Sequence, residues 1–125
     1  MKKRIYYHHT DCGGVVYYAK YLEFLEEART ELLEERGIFV KELIKQGTLF
    51  VVARQEIDYK APAFYGDLLQ IETRIAGLGR AKIEFEYEIK NQSGKLISTA
   101  KTVFVFVDKD LKPKAVPEDV RQKIK

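Results

Sequence analysis

The sequence predicts an α+β fold in which one long helix lies against an antiparallel sheet of five strands. Three observations carry that prediction. A helical period runs through residues 17–36, apolar and polar residues alternate in several later segments, and Gly, Pro, Asn or Asp punctuate the joins between them. At 125 residues the chain has the length of one domain, and residues 1–125 are read as one.

Taken in order, Arg4 to His8 reads as a short Tyr- and Ile-rich strand that runs into the turn-forming cluster Thr10-Asp11-Cys12-Gly13-Gly14. From Tyr17 to Arg36 the period changes. Tyr18, Tyr21, Leu22, Leu25, Ala28, Arg29, Leu32 and Leu33 follow the i, i+3, i+4, i+7 rule and define one helical face. Glu23, Glu27, Glu31 and Glu34 fall largely opposite, and Gly37 stands where a helix C-cap is expected. Such a helix of about twenty residues is ~30 Å long, enough to cross a whole sheet. Phe39 to Lys45 adds a further turn or two before Gly47.

Thr48 to Tyr59 opens on a continuous apolar run and then alternates. Pro62 and Gly66-Asp67 punctuate the next connection, and Leu69, Ile71, Thr73 and Ile75 alternate with polar neighbours. Gly77-Leu78-Gly79 reads as a tight hairpin. In Lys82 to Lys90, Ile83, Phe85, Tyr87 and Ile89 oppose Glu84, Glu86 and Glu88, the pattern of a sheet with one buried and one solvated face. Asn91 to Gly94 is a turn. Thr99 to Val107 ends in Val103-Phe104-Val105-Phe106-Val107, which suits a central strand covered on both sides, and Pro117 to Ile124 reads as a short helix with Pro at its start. The strands after the helix are expected in meander-like succession. One long helix cannot cover both faces of five strands, so a second subunit is expected.

Composition excludes several classes. No apolar run approaches the ~20 residues of a membrane-spanning helix, and the basic start, Met1-Lys2-Lys3-Arg4, is not followed by the apolar region of a signal peptide. Membrane insertion is therefore not expected, and the expected compartment is the cytoplasm. Cys12 is the single cysteine, which rules out an internal disulfide and a multi-cysteine zinc site. A net charge of +3, from 22 basic and 19 acidic residues scattered among one another, is too small an excess to argue for nucleic acid.

The chemistry concentrates between Arg4 and Tyr21. Asp11 lies on a Gly-rich loop a few residues before a helix start. The first N–H groups of a helix lack internal partners, and its dipole points its positive end the same way. That end can stabilise an oxyanion forming on a carbonyl. Gly13 and Gly14 let a substrate approach the backbone closely. A carboxylate beside an oxyanion site suffices to hydrolyse an activated acyl group such as a thioester. Residue types alone leave open that Asp11 is an ordinary loop or capping residue.

The pieces Tyr6-Tyr7, Thr10-Asp11, Gly14-Val15-Val16-Tyr17, Tyr21 and Glu26-x-Ala28-Arg29 resemble the signature of the 4-hydroxybenzoyl-CoA thioesterase family, in particular its YbgC-like branch. Tyr59-x-x-Pro62 and Gly66-Asp67 resemble it more weakly, and the order of elements matches from about Arg4 to Val107. The resemblance implies a hot-dog fold, a long central helix wrapped by the five-stranded sheet, in protomers that assemble as a homodimer or homotetramer with active sites between them. It implies acyl-CoA thioesterase activity without a metal or other cofactor. Asp11 falls on the catalytic carboxylate and Tyr18 on the residue whose backbone N–H binds the oxyanion. Gly14 lies in the substrate-binding turn, and Arg80 and Lys82 fall near the basic residues that bind CoA. Two departures stand out. His8-His9 replaces acidic residues common before Thr-Asp, and Tyr18 replaces a His.

Two other readings stay open at this point. A hot-dog hydratase or dehydratase acting on acyl thioesters uses a His with a carboxylate, and His9 is available. A non-catalytic acyl-binding scaffold has no use for Asp11. Adjacent strand residues face opposite ways, so at most one of His8 and His9 can point into the site. A metal site from both His residues and Asp11 has poor spacing on one short strand. Cys12 lacks a well-placed base and reads as a loop filler, and the interleaved tyrosines read as core and interface residues.

Overall fold

The computed structural model describes residues 1–125. The elements follow as β1 (Lys2–Arg4), α1 (Lys20–Glu35), α2 (Val40–Lys45), β2 (Leu49–Tyr59), β3 (Leu68–Leu78), β4 (Lys82–Lys90), β5 (Leu96–Val107) and α3 (Glu118–Ile124). The strands form one antiparallel sheet in the order β1-β3-β4-β5-β2, curled around α1 in the hot-dog arrangement.

The expected meander holds only for β3, β4 and β5. β2 pairs with β5 along Leu49↔Val107 to Tyr59↔Ser98, so it lies at the far edge. Residues 60–67 then cross the end of the sheet to reach β3. Extended chain of that length spans the roughly 14 Å of three strand spacings at ~4.8 Å each.

Three further expectations change. The first strand ends at Arg4, and Tyr7–His9 is a 3-10 turn. Local bonds outcompete the ladder there: the Tyr6 N–H donates to His9 Nδ1 at 2.9 Å, and the Thr10 hydroxyl donates to the Tyr7 carbonyl at 2.7 Å. The helix begins at Lys20 rather than Tyr17, because the Tyr17 carbonyl takes the Lys20 N–H and the Tyr18 carbonyl takes the Tyr59 hydroxyl, so neither accepts an i+4 bond. Gly77 and Leu78 belong to β3, and the turn falls on residues 79–81, closed by the Gly79 N–H donating to the Lys82 carbonyl.

The buried face of α1 is Tyr21, Phe24, Leu25, Ala28, Arg29 and Leu33. Leu22 and Tyr18 remain exposed, and Phe24 takes the central place the sequence pattern did not assign it. Gly37 ends the helix at φ +77°. Its N–H bonds the Glu34 carbonyl and the Ile38 N–H bonds that of Leu33, a Schellman cap.

Ile83, Phe85, Tyr87 and Ile89 of β4 turn inward as alternation predicts and join a core of 23 buried residues with Phe104 and Phe106 of β5. Each such fully buried side chain contributes about 1.5–3 kcal/mol. Val103 and Val105 stay half-buried on the outer face, so β5 is covered on one side only.

Polar groups inside this core form a chain. The Tyr87 hydroxyl donates to Thr102 Oγ1 at 2.9 Å, which donates to Gln55 Oε1 at 2.7 Å. Gln55 Nε2 donates to the Lys101 carbonyl at 2.9 Å. Above it the Arg29 guanidinium lies 5.4 Å from the centre of the Phe104 ring, a cation–π contact for a buried charge. Thr102→Val severs both hydroxyl bonds while keeping the shape. It is expected to lower the unfolding free energy by about 1–3 kcal/mol in urea titration, more than the roughly 1 kcal/mol expected of Tyr87→Phe.

Candidate active site

The crossover 60–67 is where the Asp11 loop docks. Val15 forms a bridge with Phe64, and the Val16 N–H donates to the Ala63 carbonyl at 2.9 Å. The crossover is itself clamped. Asp67 accepts the Phe64 N–H at 2.8 Å and the Gln92 side-chain amide at 3.0 Å, while the Gly66 N–H donates to the Ile5 carbonyl.

Asp11 sits at the tip of a tight hairpin closed by the Thr10–Val16 bridge. Its N–H donates to the Val15 carbonyl at 2.9 Å, and its own carbonyl accepts the Gly14 N–H at 3.0 Å. One carboxylate oxygen, Oδ1, accepts the Gly13 N–H at 2.8 Å. The residue is exposed, and its second oxygen has no partner in the chain. This geometry revises the reason for the glycines. Gly14 adopts φ +83°, and a Cβ there would meet nothing, so backbone conformation rather than close approach requires it. At Gly13 a Cβ would stand 3.1 Å from Asp11 Oδ1, so its absence leaves the carboxylate its place.

Residues 17–20 form a β-turn in which the Lys20 N–H donates to the Tyr17 carbonyl at 2.9 Å. The N–H groups of Tyr18 and Ala19, the two central residues, have no acceptor in the chain. The predicted oxyanion donor is therefore free, in the turn that leads into α1 rather than inside the helix.

His9 is buried, with its ring edge-on to Phe24 at 5.2 Å and its Nδ1 occupied by the Tyr6 N–H. Its backbone carbonyl holds Tyr17. It props the loop from beneath, while His8 stacks on Tyr6 at the surface. Both lie in the 3-10 turn rather than on the expected strand, and no cluster of side chains fit to hold a metal is present. Cys12 is exposed in the loop. Tyr59, which the sequence offered only within Tyr59-x-x-Pro62 and without a role, stands beside the site: its hydroxyl donates to the Tyr18 carbonyl at 3.0 Å. Burial first, then the neighbouring Tyr18, pushes that phenol up. Burial drives the Tyr21 phenol up to about 12.

Arg80 and Lys82 do not join Asp11 within one protomer. Arg80 lies in the β3–β4 turn, at the far end of β3 from the Asp11 loop, and eleven strand residues span roughly 35 Å. Its carbonyl accepts the Val116 N–H at 2.8 Å, and Lys82 pairs with Glu84 at 3.4 Å. A concavity of about 530 Å³ lies elsewhere again, on the outer face of the sheet among Glu56, Glu72, Arg74, Glu86 and Lys101. Asp11 lines neither this concavity nor the smaller one beside Met1 and Ala28. Exposed Tyr7, Tyr17, Tyr18, Phe64 and Tyr65 surround the loop instead.

A curled sheet around one helix, with a loop carboxylate beside free N–H groups, defines a class, and comparison with known proteins agrees. Residues 7–124 match the model of the thioesterase-like superfamily, and the chain belongs to that family. Among its relatives, the acyl-CoA thioester hydrolase YbgC of Escherichia coli is 37% identical over 118 residues, covering 94% of this chain and 88% of the relative. The acyl-CoA thioesterase YbgC of Haemophilus influenzae is 40% identical over 120 residues, with the same coverage. The crystal structure of a 1,4-dihydroxy-2-naphthoyl-CoA thioesterase from Synechocystis superposes with a TM-score of 0.92 at 26% identity, over 99% of this chain and 93% of that one.

The prop beneath the loop carries a pH signature. Burial first, then the charges of His8, Lys3 and Lys20, lower the His9 pKa from 6.5, against an opposing pull from Glu27. The unfolded chain takes up a proton near pH 6.5 that the folded one refuses, so stability is complete above that pH and falls as the solution is acidified. Melting temperature measured from pH 8 to 5 is expected to decline below about 6.5. His9→Asn, which keeps an acceptor and cannot charge, is expected to flatten the part of that decline owed to His9.

Proposed function

We infer that the chain hydrolyses an acyl-CoA thioester with Asp11 as its working carboxylate. The activity is that of an acyl-CoA thioester hydrolase of the YbgC kind. The observation that supports Asp11 is its placement: an exposed carboxylate on a braced hairpin, with one oxygen held and the other free, next to two unpaired N–H groups. Asp11 activates the attacking water or attacks the carbonyl itself to give an anhydride that water then opens. Either way the acyl C–O bond forms, the C–S bond breaks, and a proton ends on the departing CoA thiolate. The Tyr18 N–H takes the developing oxyanion.

The site is proposed to be complete only in a pair of chains. β2 is an eleven-residue edge strand with Val51 and Val52 exposed, a template for pairing with another strand. Antiparallel pairing of β2 with a partner's β2 sets the Tyr59 end of one chain beside the Leu49 end of the other. The latter is the end that carries Arg80 and Lys82. A CoA whose thioester reaches Asp11 then meets these cations from the partner, through charge-assisted bonds to its phosphates. The turn around Gly14 borders the acyl group. The dehydratase reading loses its His, because His9 is committed to Tyr6 and the core.

Asp11→Asn is expected to lower kcat for thiol release at least ~10²-fold, the scale of a missing general base, with an unchanged circular dichroism spectrum. Near-normal turnover would end the assignment. Arg80→Ala is expected to raise KM for acyl-CoA severalfold at low salt, with kcat unchanged and the effect shrinking as salt is added. A truncated pantetheine thioester should not distinguish that variant from wild type. Sedimentation at micromolar concentration should give a dimer or larger assembly, and a stable monomer would contradict the shared site.

A further inference from the structure

The turn that leads into α1 holds two free N–H groups, and each belongs to a peptide whose carbonyl is engaged. The carbonyl of the Tyr17–Tyr18 peptide accepts the Lys20 N–H at 2.9 Å. The carbonyl of the Tyr18–Ala19 peptide accepts the Tyr59 hydroxyl at 3.0 Å. In a continued helix that second carbonyl would take the Leu22 N–H, but Leu22 bonds the Ala19 carbonyl instead, at 3.2 Å. A side chain from the far edge of the sheet fills the vacancy.

We propose that Tyr59 is a positioning residue for the hydrolysis: it holds the Tyr18–Ala19 peptide so that the Ala19 N–H joins the Tyr18 N–H as a second donor to the substrate carbonyl oxygen. No peptide bond in the chain is cis, and in a trans peptide the C=O and N–H point in opposite directions. Gripping the Tyr18 oxygen therefore aims the Ala19 N–H. A hydrogen bond accepted by the carbonyl also polarises the N–H of the same peptide. Donors that are fixed before the charge develops need no reorganisation during the reaction.

Tyr59 is well built for holding something still. Its backbone pairs with Ser98, whose hydroxyl bonds the Asp58 carbonyl at 2.8 Å. The next residue, Lys60, bonds the Ile97 carbonyl at 2.8 Å. Its ring meets Tyr21 edge-on at 5.5 Å and Tyr18 at 6.4 Å, and Tyr21 is buried. The raised phenol pKa keeps the hydroxyl a neutral donor across the working range.

The proposal rests on the assignment of Asp11 and the helix start as the catalytic site, and the test separates the two. Tyr59→Phe in the full-length protein keeps the ring and removes the bond. It is expected to lower kcat about tenfold with KM unchanged, less than the ~10²–10³ lost when an oxyanion donor is deleted outright. In the Asp11→Asn background, the carbonyl stretch of a bound ¹³C-labelled acyl-CoA is expected to move back toward its free frequency when Tyr59→Phe is added. Unchanged kcat and carbonyl stretch in Tyr59→Phe, with Asp11→Asn inactive, would overturn the role of Tyr59 alone. A rise in KM together with a fall in melting temperature, and no spectral change, would also overturn it by making the bond merely structural. Full turnover by Asp11→Asn would instead overturn the assignment on which it rests.

Discussion

The bond from the Val16 N–H to the Ala63 carbonyl is the constraint on which the site depends. It ties the segment after Asp11 to the crossover between β2 and β3. That crossover has a fixed course only because β2 lies at the far edge of the sheet and the chain must return over its end. The loop's geometry is thus a product of strand order. Had β2 and β3 been neighbours joined by a short hairpin, no backbone would lie where Val15 and Val16 find their partners.

A second layer of support comes from side chains and backbone groups that never approach a substrate. The Asp67–Gln92 contact stiffens the crossover, and His9 supports the loop from the core side while its carbonyl anchors Tyr17. The aromatic crowd around the loop has a different character. Those rings are exposed, and one protomer provides nothing to cover them, whereas the rings on the inner face of the sheet are packed against α1. The molecule thus has a finished interior and an unfinished end.

Much of this was legible in the sequence. The strand Lys82–Lys90 was read to the residue, because strict alternation with Glu on one side admits a single register. Helix α1 was clear from its period, and the loop that carries Asp11 from its turn-forming residues. Part of what escaped was set by contacts distant in sequence. Nothing in Leu49–Tyr59 states which strand it will pair with, so the edge position of β2 was invisible. The strand assigned to residues 4–8 failed because His9 offers a ring nitrogen to the Tyr6 N–H, an exchange that strand propensity ignores. Tyr59 stands in the motif Tyr59-x-x-Pro62, but its hydroxyl finds its acceptor forty-one positions away.

The N-terminal strand carries a consequence for the order of events in folding. β1 pairs with β3, and the Met1 ammonium bonds the Ile71 carbonyl across seventy positions. The β3–β4–β5 meander needs only short loops, whereas closing the N-terminal loop costs much more chain entropy and is slow for contacts so far apart. On a ribosome the Asp11 segment emerges before the crossover and β3, so it has nowhere to dock until they have followed. The Asp11 loop is therefore made before the backbone that holds it and is among the last parts to be assembled.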